Sequence, residues 1–266
     1  MRPPSAAEWR LIALVLLLSW PMQLHAKHVA RADPFGIPGF ALLVYLAWPL
    51  ASYTVLYGSR RGPAAIWLVL AGLGTLAATI SGTLSGSRAG LFASGVLGAG
   101  SALAVAWHAR VPLGELGLGP GEWRRWAPLT AVGMGLAVLL VQVGAWLSPE
   151  LLRFYPVYPP ARHDPWVFVG WELAMALYMV CWESLFRGVF LFGSRRTLGD
   201  AGAVLLTAVP FFLLHANKPE LEMASSIVGG IALGYFCLWA RSCWPAALLH
   251  ATLYSTMELT GALVAR

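Results

Sequence analysis

WVFVGWELAMALYMVCWESLFRGVFL, residues 166–191, decides the fold. It exceeds the roughly 20 apolar residues that carry a helix across a bilayer core, and Glu183 and Arg187 lie deep within it. Backbone N–H and C=O groups in lipid must be satisfied inside their own segment, so such a run is expected to be a helix. Further apolar runs occupy about 11–24, 35–57, 63–82, 89–108, 127–148, 200–217, 222–240 and 243–264. The expected architecture is therefore all-α, a polytopic transmembrane helix bundle of about 8–9 spans.

Composition agrees. Of 266 residues 58% are hydrophobic and 11% charged, too little charge to keep a soluble domain of this size dissolved. The formal charge is +6, but the basic residues stand in ones and twos between apolar runs. That is the distribution of a membrane protein that interacts with lipid, not a nucleic-acid-binding patch. With nine spans and the N-terminus inside, ten basic residues fall inside and seven outside, and the pairs Arg60–Arg61, Arg124–Arg125 and Arg195–Arg196 are all inside. A cytoplasmic N-terminus is expected, in a bacterial plasma membrane by the Ala/Gly/Leu-rich style of the chain. The first run, Leu11 to Leu24, follows Arg2 and Arg10, contains Pro21 and precedes Ala26. It reads as a first span, with a signal peptide as the alternative; cleavage would leave eight spans in the same orientation. The three cysteines, Cys181, Cys237 and Cys243, form neither a disulfide framework nor a paired metal motif.

The chain divides at about residue 110. Residues 1–110 are N-terminal helices rich in Gly, Ala and Leu, with small residues suited to close helix packing. Residues 111–266 hold the candidate chemistry. Leu113–Trp126 alternates apolar and polar residues around Arg124–Arg125 and reads as an interfacial connector. Ser148–Pro165 holds five prolines and is not expected to form one regular helix; a plain external loop is the preferred reading over a cap on a site.

Ionisable side chains inside a membrane span are costly and raise a functional hypothesis by default. Glu183 and Arg187 stand four apart, on one helix face, within WESLFRG (182–188); an ion pair locking two helices would account for them equally well. Phe211 and His215 share a face within FFLLHANKPELE (211–222), which also carries Glu222. His250 and Tyr254 lie in the last run, where a neutral imidazole can serve helix packing alone. Together, one carboxylate and two histidines on three spans can hold a water and remove its proton while other donors stabilise an oxyanion. Glu183, His215 and His250 can equally coordinate zinc, although no His-Glu-x-x-His occurs. Cys181 has no flanking base, and no Gly-x-Ser-x-Gly elbow is present.

In order and character these stretches resemble the CAAX protease and bacteriocin-processing family of intramembrane endopeptidases. That family carries Glu-Glu-x-x-x-Arg, Phe-x-x-x-His and His-x-x-x-Asn on successive helices, and the resemblance covers about residues 113–258. Here Trp182 replaces the first Glu and Tyr254 replaces the Asn. The resemblance implies hydrolysis of a peptide bond in a membrane-associated protein or peptide, with no cofactor favoured and zinc as the alternative. Glu183 and His215 would activate water, with Glu222 as the reserve carboxylate. His250 and Tyr254 would bind the oxyanion, and Arg187 would orient the carboxylate. Sorting tails and leader peptides are expected substrates ahead of prenylated tails. The rivals are a non-catalytic immunity or scaffold relative, for which Trp182 argues, and a proton-coupled transporter, whose inverted repeats are not seen in the sequence.

Overall fold

The computed structural model describes residues 112–213, 215 and 218–264, with the isolated positions Ser5, Ala6, Trp9, Ile12, Ala13 and Trp107. The runs expected at 11–24, 35–57, 63–82 and 89–108, and the N-terminal unit they make up, lie outside the described residues. The described part is helical. Its elements are α1 (Trp123–Leu147), the short α2 (Pro149–Phe154), α3 (Pro165–Glu183), a π-helical stretch (Ser184–Phe190), α4 (Leu191–Leu213), α5 (Glu220–Ala240) and α6 (Trp244–Val264).

Among the described residues, three helices are long and apolar enough to cross a membrane: Trp123–Leu147, Pro165–Arg195 and Glu220–Ala240. The second runs unbroken from α3 through the π-helical stretch into the start of α4. α6 matches α5 in length at 21 residues, but His250, Thr252, Glu258 and Thr260 dilute its apolar character. The run expected at 200–217 starts where α4 breaks at Gly199, which adopts φ 69°, a left-handed conformation that L side chains resist. The Arg195 guanidinium reaches across this break to the Asp200 carboxylate.

Local chemistry sets several of these ends. Asp164 caps α3, its carboxylate accepting from the backbone N–H groups of Trp166 (2.8 Å) and Val167 (3.3 Å), with Pro165 at the first helical position. Glu220 and Glu222 occupy the first turn of α5, where negative charge suits the helix dipole.

The core lies between α4 and α5, with Val204, Ala208, Phe212, Met223 and Ile227 buried in one cluster. Gly230 and Gly234 let the two helices approach closely, the device used where lipid supplies no hydrophobic drive between helices. A Cβ on Gly234 would sit 3.0 Å from a Val204 methyl. Gly234→Val should therefore overpack this contact and cost ~1–3 kcal/mol. Thermal unfolding of the detergent-solubilised protein checks this by a fall in Tm.

The 113–126 connector is docked rather than merely laid alongside. The N–H of Cys243 donates to the Gly117 carbonyl (2.8 Å), and the Ser242 hydroxyl to that of Gly119 (2.8 Å). The indole N–H of Trp126 turns back to Pro120 (2.8 Å). The 148–165 segment is not one helix, as expected, but neither is it a plain external loop. Tyr155 within it is 1% exposed and is packed with Leu151, Met179 and Tyr254. The preference for a plain loop fails because the Tyr155 phenol and the Val157 N–H find carboxylates on α5 and α6, the partly buried Glu222 and the buried Glu258.

Candidate active site

Glu183 ends α3 and Arg187 lies in the π-helical stretch that follows; neither side chain has any exposed surface. π-helical turns recur at functional sites. Arg187 Nη1 donates to Glu183 Oε1 at 3.1 Å, as the four-residue spacing implies. α6 packs against α3 and brings His250 to the same oxygen, Nδ1 to Oε1 at 2.7 Å. A carboxylate oxygen accepts, so His250 carries its proton on Nδ1, and in the neutral ring Nε2 is left as the acceptor.

α4 supplies Phe211, whose ring is the hub of the site. The Arg187 guanidinium carbon stands 4.1 Å from the ring centroid, and the His215 and His250 rings lie 4.5 and 5.4 Å away. His215 Nδ1 is 2.7 Å from the Phe211 carbonyl oxygen, so this ring too is protonated on Nδ1 and presents Nε2 as acceptor.

Three polar atoms at this centre are buried without a hydrogen-bond partner among the described residues: Glu183 Oε2, Arg187 Nε and Arg187 Nη2. Leaving polar atoms of a buried ion pair unsatisfied is expensive. Such atoms are the ones a water or a substrate carbonyl would engage.

Of the six side chains expected at the site, Glu183, Arg187 and His250 are in direct contact, and His215 joins them across Phe211. Glu222 and Tyr254 gather instead around Tyr155. The Tyr155 hydroxyl lies 2.9 Å from both Glu222 carboxylate oxygens, Lys218 Nζ is 3.3 Å from Glu222, and the Tyr254 ring meets Tyr155 edge-on at 6.0 Å. Burial, reinforced by the Glu222 carboxylate, pushes the Tyr155 phenol well above its usual range, so it remains a proton donor. Trp182 is buried, stacked on Tyr178 (5.7 Å) and against Phe186 (4.8 Å).

The zinc alternative meets an unsuitable donor set. No group of three or more His, Cys, Asp or Glu side chains among the described residues is placed to hold a metal ion. A guanidinium already occupies one oxygen of Glu183, where it would repel a divalent cation.

Sequence reasoning missed Tyr155, Lys218 and Glu258. The first two gave no periodic signal. Glu258 was findable as a carboxylate within the last apolar run; it is fully buried and its Oε1 accepts from the Val157 N–H at 2.9 Å.

No curated protein and no solved structure matches the chain. The model of one family, type II CAAX prenyl endopeptidase Rce1-like, matches residues 164–256, a stretch that begins at the Asp164 cap and contains Glu183, Arg187, His215, Glu222, His250 and Tyr254. The chain therefore carries, over residues 164–256, a domain of the Rce1-like type II CAAX endopeptidases, a family of peptidases.

Proposed function

We propose that this chain is an intramembrane endopeptidase that hydrolyses a peptide bond through a water activated by Glu183 and His215. The observation that carries the proposal is the state of Glu183: it is fully buried, with Oε1 held by Arg187 and His250 and Oε2 unpartnered among the described residues.

In this reading the water lies against Glu183 Oε2, with His215 Nε2 as its second acceptor. As the water oxygen bonds to the scissile carbonyl carbon, its proton passes to Glu183 Oε2. The oxyanion takes hydrogen bonds from the unpartnered N–H groups of Arg187. Tyr254, one turn beyond His250, is the further donor that the resemblance implies. Cleavage of the C–N bond then returns the Glu183 proton to the departing amine. Glu222, held by Tyr155 and Lys218, is a weaker candidate for the base.

The substrate is a membrane-associated protein or peptide, with a C-terminal sorting tail or a leader ahead of a prenylated tail. The test is the full chain in liposomes with three internally quenched peptides. One ends in a prenylated Cys-aliphatic tail, one carries a leader-like amphipathic segment, and one has a C-terminal apolar span followed by basic residues. Cleavage of at least one peptide, lost in His215→Ala, is the expected result. Binding without cleavage across the whole set would instead support a non-catalytic relative, the reading that Trp182 favours.

A further inference from the structure

We infer that Tyr155 is a positioning residue for His215: the strap between α1 and α3 holds the imidazole in place through Lys218 and Glu222. The inference rests on the peptidase reading only for its catalytic consequence.

The chain of contacts is continuous. His215 opens a tight turn in which the Lys218 N–H donates to the His215 carbonyl at 2.9 Å, and the His215 N–H donates to Phe212 at 3.0 Å. The Lys218 side chain then leaves this turn for the strap. Its Nζ donates to the Tyr155 hydroxyl at 2.8 Å and faces the rings of Phe154, Tyr155 and Tyr254 at 5.1, 5.0 and 5.8 Å. An ammonium enclosed by three aromatic faces and one carboxylate has few other places to go. The Tyr155 hydroxyl in turn donates a hydrogen bond to the Glu222 carboxylate at 2.9 Å.

Tyr155 is well suited to be the fixed end of this chain. Its carbonyl accepts from Arg162 Nη2 at 3.0 Å and presses on Gly261 of α6, where a Cβ would overlap it. Two residues on, the Val157 N–H is held by Glu258. The strap is thus anchored to α6 by its backbone, and the Tyr155 hydroxyl carries that anchorage through Lys218 to the turn bearing His215. The Nδ1–H tautomer of His215 depends on a 2.7 Å contact with the Phe211 carbonyl, and a turn free to shift would lose it.

The experiment is nuclear magnetic resonance of the full chain in nanodiscs with ¹⁵N-labelled histidine, the His215 signals being identified by their loss in His215→Ala. Tyr155→Phe keeps the ring and its packing and removes only the hydroxyl. It should convert His215 from the Nδ1–H form to a tautomer mixture and leave the His250 signals in place. On the cleaved peptide, kcat should fall about tenfold with KM within about twofold, the signature of a displaced catalytic group. Glu222→Gln should produce the same spectral change, and the double variant should be no worse than the poorer single one. An unmoved His215 in both variants would overturn the inference, as would equal movement of His250, which would mean general loosening. So would a rise in KM alone, which would make the strap a substrate contact. If the wild-type chain cleaves nothing, the spectra still decide the positioning role; cleavage without a spectral response defeats the inference and leaves the peptidase reading standing.

Discussion

Glu183→Gln is expected to lower kcat/KM, per folded molecule, by about 10³-fold, within the span of general-base and oxyanion contributions. Glutamine keeps the shape of the side chain, and its amide oxygen can still accept from Arg187 and His250. The substitution removes the capacity to take a proton at the position of Oε2, the oxygen that no described residue engages. Since the lost step belongs to the transition state, kcat should carry most of the fall and KM should move little. The readout is steady-state cleavage of the responsive quenched peptide, normalised to folded protein. Retention of the full rate would exclude Glu183 as the proton acceptor. The next candidate would be the reserve carboxylate Glu222, held by Tyr155 and Lys218.

What the sequence disclosed follows the range of the forces involved. Helix bodies rest on local apolar length, so the runs expected at 127–148, 222–240 and 243–264 correspond to Trp123–Leu147, Glu220–Ala240 and Trp244–Val264. The Glu183–Arg187 pair was visible because four residues bring two side chains to one helix face. His250 joins them from 67 residues away, and spacing carries no information about that; the grouping was expected from ionisable residues recurring in separate apolar runs and from the motif resemblance. The π-helical stretch left no mark in apolar periodicity, because it alters the backbone while the hydropathy continues; the break at Gly199 instead falls in the polar gap between the runs expected at 166–191 and 200–217. Glu222 marks the limit most sharply. The resemblance offered it as the reserve carboxylate beyond His215, and nothing in that reading pointed to the phenol and the ammonium that stand beside it. Tyr155 was lost in a segment read only through its prolines, which tell where a helix cannot run but not what the segment touches.

Arg187→Met should destabilise the protein by about 3–5 kcal/mol, the range for breaking a buried ion pair from one side. Both partners have no exposed surface. Losing the guanidinium would strand the Glu183 charge, with only His250 left to answer it, and the cation over the Phe211 ring at 4.1 Å would go as well. Restoring neutrality should reverse most of the loss. In Glu183→Gln/Arg187→Met a neutral amide faces a thioether of similar length, and replacing a whole buried pair is often close to neutral. Thermal unfolding in detergent would therefore show a large fall in Tm for Arg187→Met and recovery in the double variant, a coupling that a double-mutant cycle measures directly. Activity should not recover, because the double variant has neither the proton acceptor nor the N–H donors for the oxyanion. Stability and catalysis thus part company at this pair. A structural ion pair predicts that restoring the fold restores everything the pair does, whereas a catalytic pair predicts a stable, inactive protein. Recovery of cleavage together with Tm would mean that Glu183 and Arg187 only lock the helix, and the search for the base would return to Glu222.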